Sequence, residues 1–183
     1  LCRDLKVKIR RIGKLTVALD RDDLPGIERL HAQGQANGVP GLEIIGPARM
    51  RQIQPDVQGI AALWSPTSAI ISPYGLTIAL AENAKANGVD IRLDWPVANV
   101  NVLPQGRGFE VRNDRGDMLT CRVLVNAAGL FAAKICEMVG IGDYRIYPCR
   151  GEYYVLDKRL GGSLRTLIFP TPNPKNPGLG IHL

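Results

Sequence analysis

Apolar and basic residues alternate through Leu5-Lys-Val-Lys-Ile-Arg-Arg-Ile, and the chain then turns almost wholly apolar from Leu15 to Leu19. A period of two is that of a strand, so the segment predicts one or two strands with Gly13 at a bend. Asp22 and Asp23 are placed to cap a helix starting near Pro25, with Ile27, Leu30 and His31 on one face and Gly38 as its stop. A strand over Leu42 to Ile45 and a short helix from Pro47 to Gln54 follow. At Ser72-Pro73 the N-cap, the first-turn proline, an Ala-rich body and Gly88 agree on a helix.

Beyond it, Val89, Ile91 and Leu93 alternate as a strand, Pro96 interrupts, and Val97 to Leu103 resumes extended structure. Gly106 and Gly108 turn the chain into Phe109 to Arg112. Asn113 to Gly116 turn it again, and one strand runs from Met118 to Val125. This meander delivers the chain to Val123-Leu-Val-Asn-Ala-Ala-Gly129 and a helix ending near Val139. The remainder is β-rich: Arg145 to Leu156, Leu164 to Phe169 and Leu179 to Leu183, with Pro170, Pro172, Pro174 and Pro177 in the last loop. The fold class expected is mixed α/β: an antiparallel, β-rich domain from residues 1–70 and 141–183, and an α/β domain from 71–140.

Composition changes this picture little. With 45% hydrophobic and 22% charged residues among 183, the chain is an ordinary globular one. Its net charge of +6 is local, because Arg3, Lys6, Lys8, Arg10, Arg11 and Lys14 face only Asp4 within the first 15 residues. A basic edge strand guards against edge-to-edge pairing, and no aromatic residues alternate with these charges as base-stacking platforms, so nucleic acid is not an expected partner. Cys2, Cys121, Cys136 and Cys149 are scattered, with only His31 and His182 beside them, which suits reduced thiols packed as small core residues rather than a metal site or disulfide framework. His31 reads as a packed or half-exposed helix residue. No run approaches the roughly 18 to 20 apolar residues of a bilayer span, and a cytoplasmic location is expected, with or without peripheral membrane attachment.

The chain holds no G-x-G-x-x-G, P-loop, G-x-S-x-G or H-E-x-x-H motif. The chemical clue is the small-residue end of the apolar run. Residues 127 to 129 let backbone come close to another group at the carboxyl end of a strand, where ligands of α/β sheets bind, although tight strand–helix packing would select the same residues.

The order of elements around that corner, with Arg10-Arg-Ile-Gly-Lys-Leu-Thr-Val-Ala-Leu19, Ala36-Asn-Gly-Val-Pro-Gly-Leu-Glu-Ile-Ile45, Pro148-Cys-Arg-Gly-Glu-Tyr-Tyr-Val-Leu156 and Asn176-Pro-Gly-Leu-Gly-Ile-His-Leu183, resembles the D-amino-acid-oxidase-like superfamily of FAD-dependent oxidoreductases, in particular its L-2-hydroxyglutarate dehydrogenase or oxidase branch. The resemblance implies a partial FAD-binding, Rossmann-like domain with a β-meander over 71–140 and an antiparallel substrate domain over the two ends. It also implies an interior slice of the enzyme, lacking the Gly-rich turns on either side and inactive or weakly flavin-binding alone. The acidic residue of relatives before the long helix is Ser72 here.

By the same resemblance the cofactor is FAD, with Val97 offering backbone to the adenine portion and Ala127, Ala128 and Gly129 lying near the ADP half. A small hydroxy-acid substrate is implied; oxygen, a quinone or another protein would take the electrons. Oxidising such an acid needs a cation for its carboxylate and a base for its hydroxyl proton. Arg150 suits the first role, through two parallel guanidinium donors, or forms an ion pair with Glu152. His182 suits the second, or is a structural histidine. Tyr153 and Tyr154 are substrate-facing candidates, on opposite faces if their segment is a strand. Glycerol-3-phosphate dehydrogenase and amino-acid oxidase of the same superfamily, or a binding module without chemistry, are the alternatives.

Overall fold

The computed structural model describes residues 1–172 and 181–183. By contact, the chain forms two compact units, Leu1–Val89 with Val155–Leu183, and Asp90–Tyr154. They divide the chain later, in both places, than the 70/71 and 140/141 expected for functional domains. The long helix stays with the strand that leads directly into it, and residues beyond 140 continue in the second unit.

The first unit is built on a four-stranded sheet. Strand β1 (Ile9–Arg11) stands outside that sheet and pairs with β5 (Ala69–Ile71); β2 (Lys14–Ala18) lies inside it. The bend between β1 and β2 falls at Gly13, as the sequence predicts, with φ at +71°. Helix α1 (Leu24–Ala36), β3 (Glu43–Ile45), α2 (Pro47–Ile53) and β4 (Ala61–Ser65) follow, and β9 (Leu167–Pro170) completes the sheet in the order β3-β4-β2-β9. The pairings are antiparallel except that of β2 with β9, which is parallel, so this half is mixed rather than wholly antiparallel.

Register explains why β2 is nearly continuously apolar. Leu15 faces Trp64 and Val17 faces Ala62 across the β2–β4 ladder, while Thr16 faces Leu63 and Ala18 faces Ala61. Leu15, Val17, Ile45 and Ala62 pack with Met50 of α2. Ala18 and Leu63 pack with Ile27 of α1. Both faces of the strand are covered, a helix on each side, which removes the alternation that a half-solvated strand would show. Each fully buried aliphatic side chain contributes about 1.5–3 kcal/mol.

Capping differs from the sequence reading in one place. Asp20, not Asp22 or Asp23, is the capping side chain, accepting from the Asp22 N–H (3.0 Å) at a short 3-10 turn ahead of α1; Asp23 accepts from the Leu19 N–H instead (2.9 Å). Ser72 caps α3 (Pro73–Ala86) as expected, its Oγ accepting from the Gly75 N–H (3.1 Å).

The second unit is a meander of β6 (Val97–Val102), β7 (Phe109–Asn113) and β8 (Met118–Cys121), followed by α4 (Ala132–Met138), which packs on β6. Val100 and Val111, directly opposite one another, are its buried apolar pair. Two predicted strands, over 89–93 and 145–156, are not formed, and the one predicted from Met118 to Val125 ends early. Residues 89–93, 123–126 and 145–156 have no hydrogen-bonded neighbour strand among the described residues, and β8 stops at Cys121. Hydrophobic pattern signals burial, whereas a strand also needs a ladder; Val123 and Val125 are 76% and 81% exposed. The predicted strand over Leu179 to Leu183 lies partly outside the described residues, as do Pro174 and Pro177. Leu183 does exchange two backbone hydrogen bonds with Ile168 (2.9 and 3.0 Å). The cysteines are not core residues, since Cys149 is exposed and the others are half-buried.

Candidate flavin and substrate sites

Two groups of predicted residues lie in the second unit. At the small-residue corner, Asn126 organises the backbone. Its Oδ1 accepts from the Ala128 N–H (3.3 Å), and its Nδ2 donates to the Ala132 carbonyl (2.8 Å) and to Cys136 Sγ (3.4 Å). The Phe131 N–H donates to the Ala128 carbonyl (3.0 Å), closing a turn in which Gly129 has φ of +56°. Ala127, Ala128 and Gly129 are all exposed, and a methyl group added at Gly129 would meet no atom within 4 Å. At Gly129 the positive φ itself favours glycine, and among the described residues no neighbour crowds its Cβ position. The corner is a fixed, open stretch of backbone, and it fits a group that must approach the main chain closely, as a dinucleotide does.

Val97 opens β6 opposite Asn113, with the ladder skipping Ala98. Sequence reasoning missed the residues that hold this end. Asn113 is buried, 4% exposed. Its Oδ1 accepts from the N–H groups of Arg115 (3.0 Å) and Asp117 (2.8 Å), and its Nδ2 donates to the Asp117 carboxylate (2.7 Å). The turn so formed presents the Arg115 guanidinium to the carbonyl and carboxylate of Asp94, a residue at φ of +53° three positions before Val97. The Asn-Asp-Arg-Gly turn was the available signal.

Arg150, Tyr153 and Tyr154 belong to the extended run 145–156. Arg150 pairs with Glu152 at 3.1 Å, their side chains 86% and 73% exposed, so this pair contributes little to stability. Tyr153 lays its ring over Gly151, 3.0 Å from the position a Cβ would take there, and Tyr154 is 95% exposed. Without a strand here, the expectation that the two tyrosines face opposite sides of a sheet has no ladder to rest on.

His182 lies in the first unit. Its imidazole stacks on Phe169 of β9, centroids 4.6 Å apart and planes within 9°, and the Lys14 ammonium sits 5.6 Å over the same ring. The two rings line a shallow cleft of about 180 Å³ whose other walls include Val17, Val57, Ile168 and Pro170. The lining is mainly apolar, with Gln58 and the His182 imidazole as its polar side chains. His31 is half-buried on α1. No helix among the described residues is long and apolar enough to cross a membrane.

The chain belongs to the DAO family of FAD dependent oxidoreductases, whose model matches residues 1–183. Two kinds of curated relative stand out within it. A glycerol 3-phosphate dehydrogenase of Caloramator mitchellensis is 38% identical over 181 residues, 98% of this chain and 37% of the relative. The mitochondrial L-2-hydroxyglutarate dehydrogenase of Mus musculus is 28% identical over 191 residues, 99% of this chain and 41% of the relative. The chain thus spans about two fifths of the curated relatives it matches. Solved structures share the fold: L-proline dehydrogenase from P. horikoshii (TM-score 0.75, 20% identity, 92% of this chain and 46% of that one) and FAD-bound L-α-glycerophosphate oxidase from Mycoplasma pneumoniae (TM-score 0.73, 20% identity, 91% and 44%).

Proposed function

We propose that the protein containing this chain oxidises an L-2-hydroxy acid of the 2-hydroxyglutarate kind to the corresponding keto acid. The observation that carries the reading is the pairing of a whole-chain match to a flavoenzyme family with an open, small-residue backbone corner at residues 127–129. FAD, when bound, supplies the acceptor for the two electrons that leave the substrate carbon as hydride. Backbone at Val97 and at Ala127 to Gly129 would lie along its ADP half. Arg150 would leave Glu152 to hold the substrate carboxylate through paired N–H donors. His182 would take the hydroxyl proton, and one of Tyr153 and Tyr154 would border the substrate.

Glycerol 3-phosphate is the second reading, favoured by the 38% identity to a dehydrogenase of that name. It also presents a secondary hydroxyl and an anion, so the same base and cation would serve. Anaerobic addition of L-2-hydroxyglutarate, glycerol 3-phosphate or an amino acid to the full-length flavoprotein decides. Bleaching of the flavin by the first is expected, bleaching by the second alone selects the second reading, and no bleaching by any of them removes the class of reaction.

A further inference from the structure

Strand β9 carries Phe169, and with it the stacked His182; among the described residues it joins the sheet through a parallel pairing with β2, some 150 residues away in sequence, and its other edge bonds Leu183 through Ile168. Side chains alternate along a strand, so a slip of one residue would turn Phe169 to the opposite face and dismantle the cleft. Something must fix the register. At its far end the strand is held by Thr171, whose N–H and Oγ1 both donate to the Val17 carbonyl (3.0 and 2.9 Å). At its near end the fastening comes from Gln54.

Gln54 follows α2 and is 2% exposed. Its Nε2 donates to the Ser163 carbonyl (2.8 Å), and its Oε1 accepts from the Arg165 N–H (2.9 Å). A carbonyl and an N–H two residues apart are what a single residue of a parallel neighbour strand would engage. One side-chain amide therefore substitutes for the peptide groups of an absent strand, and it distinguishes residue 163 from 164 because donor and acceptor cannot be exchanged. The backbone of Gln54 is also satisfied: its N–H donates to the Met50 carbonyl (2.8 Å), and its carbonyl accepts from Val57 (3.2 Å).

We infer that Gln54 is a positioning residue for the substrate side, setting the register of β9 and so the placement of Phe169 and His182; this rests on the reading that their cleft faces the substrate. The test uses the full-length flavoprotein and its Gln54→Met variant, which keeps the side-chain length and removes both hydrogen bonds. Hydrogen-exchange mass spectrometry over residues 163–170 is expected to show at least tenfold faster exchange. With the substrate that bleaches the flavin, kcat/KM is expected to fall about tenfold at unchanged FAD affinity. Faster exchange with unchanged kcat/KM would make Gln54 a structural residue only and overturn the inference, as would unchanged exchange. If Gln54→Met does not fold, Gln54→Asn keeps the amide but withdraws it by one methylene, and the same outcomes apply. Should no substrate bleach the wild-type flavin, the functional proposal fails, while exchange at 163–170 still decides whether Gln54 holds the strand.

Discussion

Single residues carry constraints that composition hides. A Cβ at Gly13 would lie 2.0 Å from the Trp64 ring, at a φ of +71° that non-glycine residues rarely adopt. Gly13→Ala is expected to cost about 1–3 kcal/mol, measured by urea unfolding. Thr166 is 3% exposed, and its hydroxyl has no hydrogen-bond partner among the described residues. An unpartnered buried hydroxyl costs about 1–3 kcal/mol, so Thr166→Val is expected to leave stability unchanged or raise it by about 1 kcal/mol. A loss of that size would show that the hydroxyl is bonded in solution. Gly13 was legible in the sequence as a bend between two strands; its closeness to Trp64, fifty-one positions on, was not, because only the β2–β4 register brings the two together. Gln54 was equally hidden. A buried amide announces itself through its partners, and those of Gln54 lie more than 100 residues away.

Elements with strong local signals formed where the sequence placed them. Helix α3, with Ser72, Pro73 and Gly88, needed no tertiary information, and neither did the turns of the meander, where Asn113 and Gly116 act within a few residues. The extended runs at 89–93, 123–126 and 145–156 failed for a shared reason: hydrophobic alternation does not supply a neighbour to bond with. In the meander, Glu110 is held below its ordinary value of 4.5, chiefly by the hydrogen bond from Arg112 and next by that from Asn101 of β6. A depressed carboxylate stabilises the fold above its unfolded-state value, and that stability is lost as pH falls through the lower folded-state value. Thermal melts below about pH 4.5 are therefore expected to fall more steeply for the wild type than for Glu110→Gln. Parallel acid limbs would show that the Asn101–Glu110–Arg112 contacts do not persist in water.

At the scale of the molecule, family membership and mixed α/β architecture were legible because ordered stretches from residue 10 to residue 183 carried them. The assignment of individual site residues was less so. The structure places Arg150, Tyr153 and Tyr154 on an exposed extended run and His182 against Phe169 in the other compact unit, and neither arrangement follows from side-chain type. What joins sequence and structure most directly is the corner at Ala127 to Gly129, small in the one and open in the other. The decisive measurement is an FAD titration, by flavin fluorescence, of the full-length protein and its Ala128→Leu variant, a change at a position exposed in this chain. The wild type is expected to bind FAD and the variant at least about tenfold more weakly, a difference of about 1.4 kcal/mol. Equal affinities, or a wild type that takes up no flavin, would contradict a cofactor lying against this backbone.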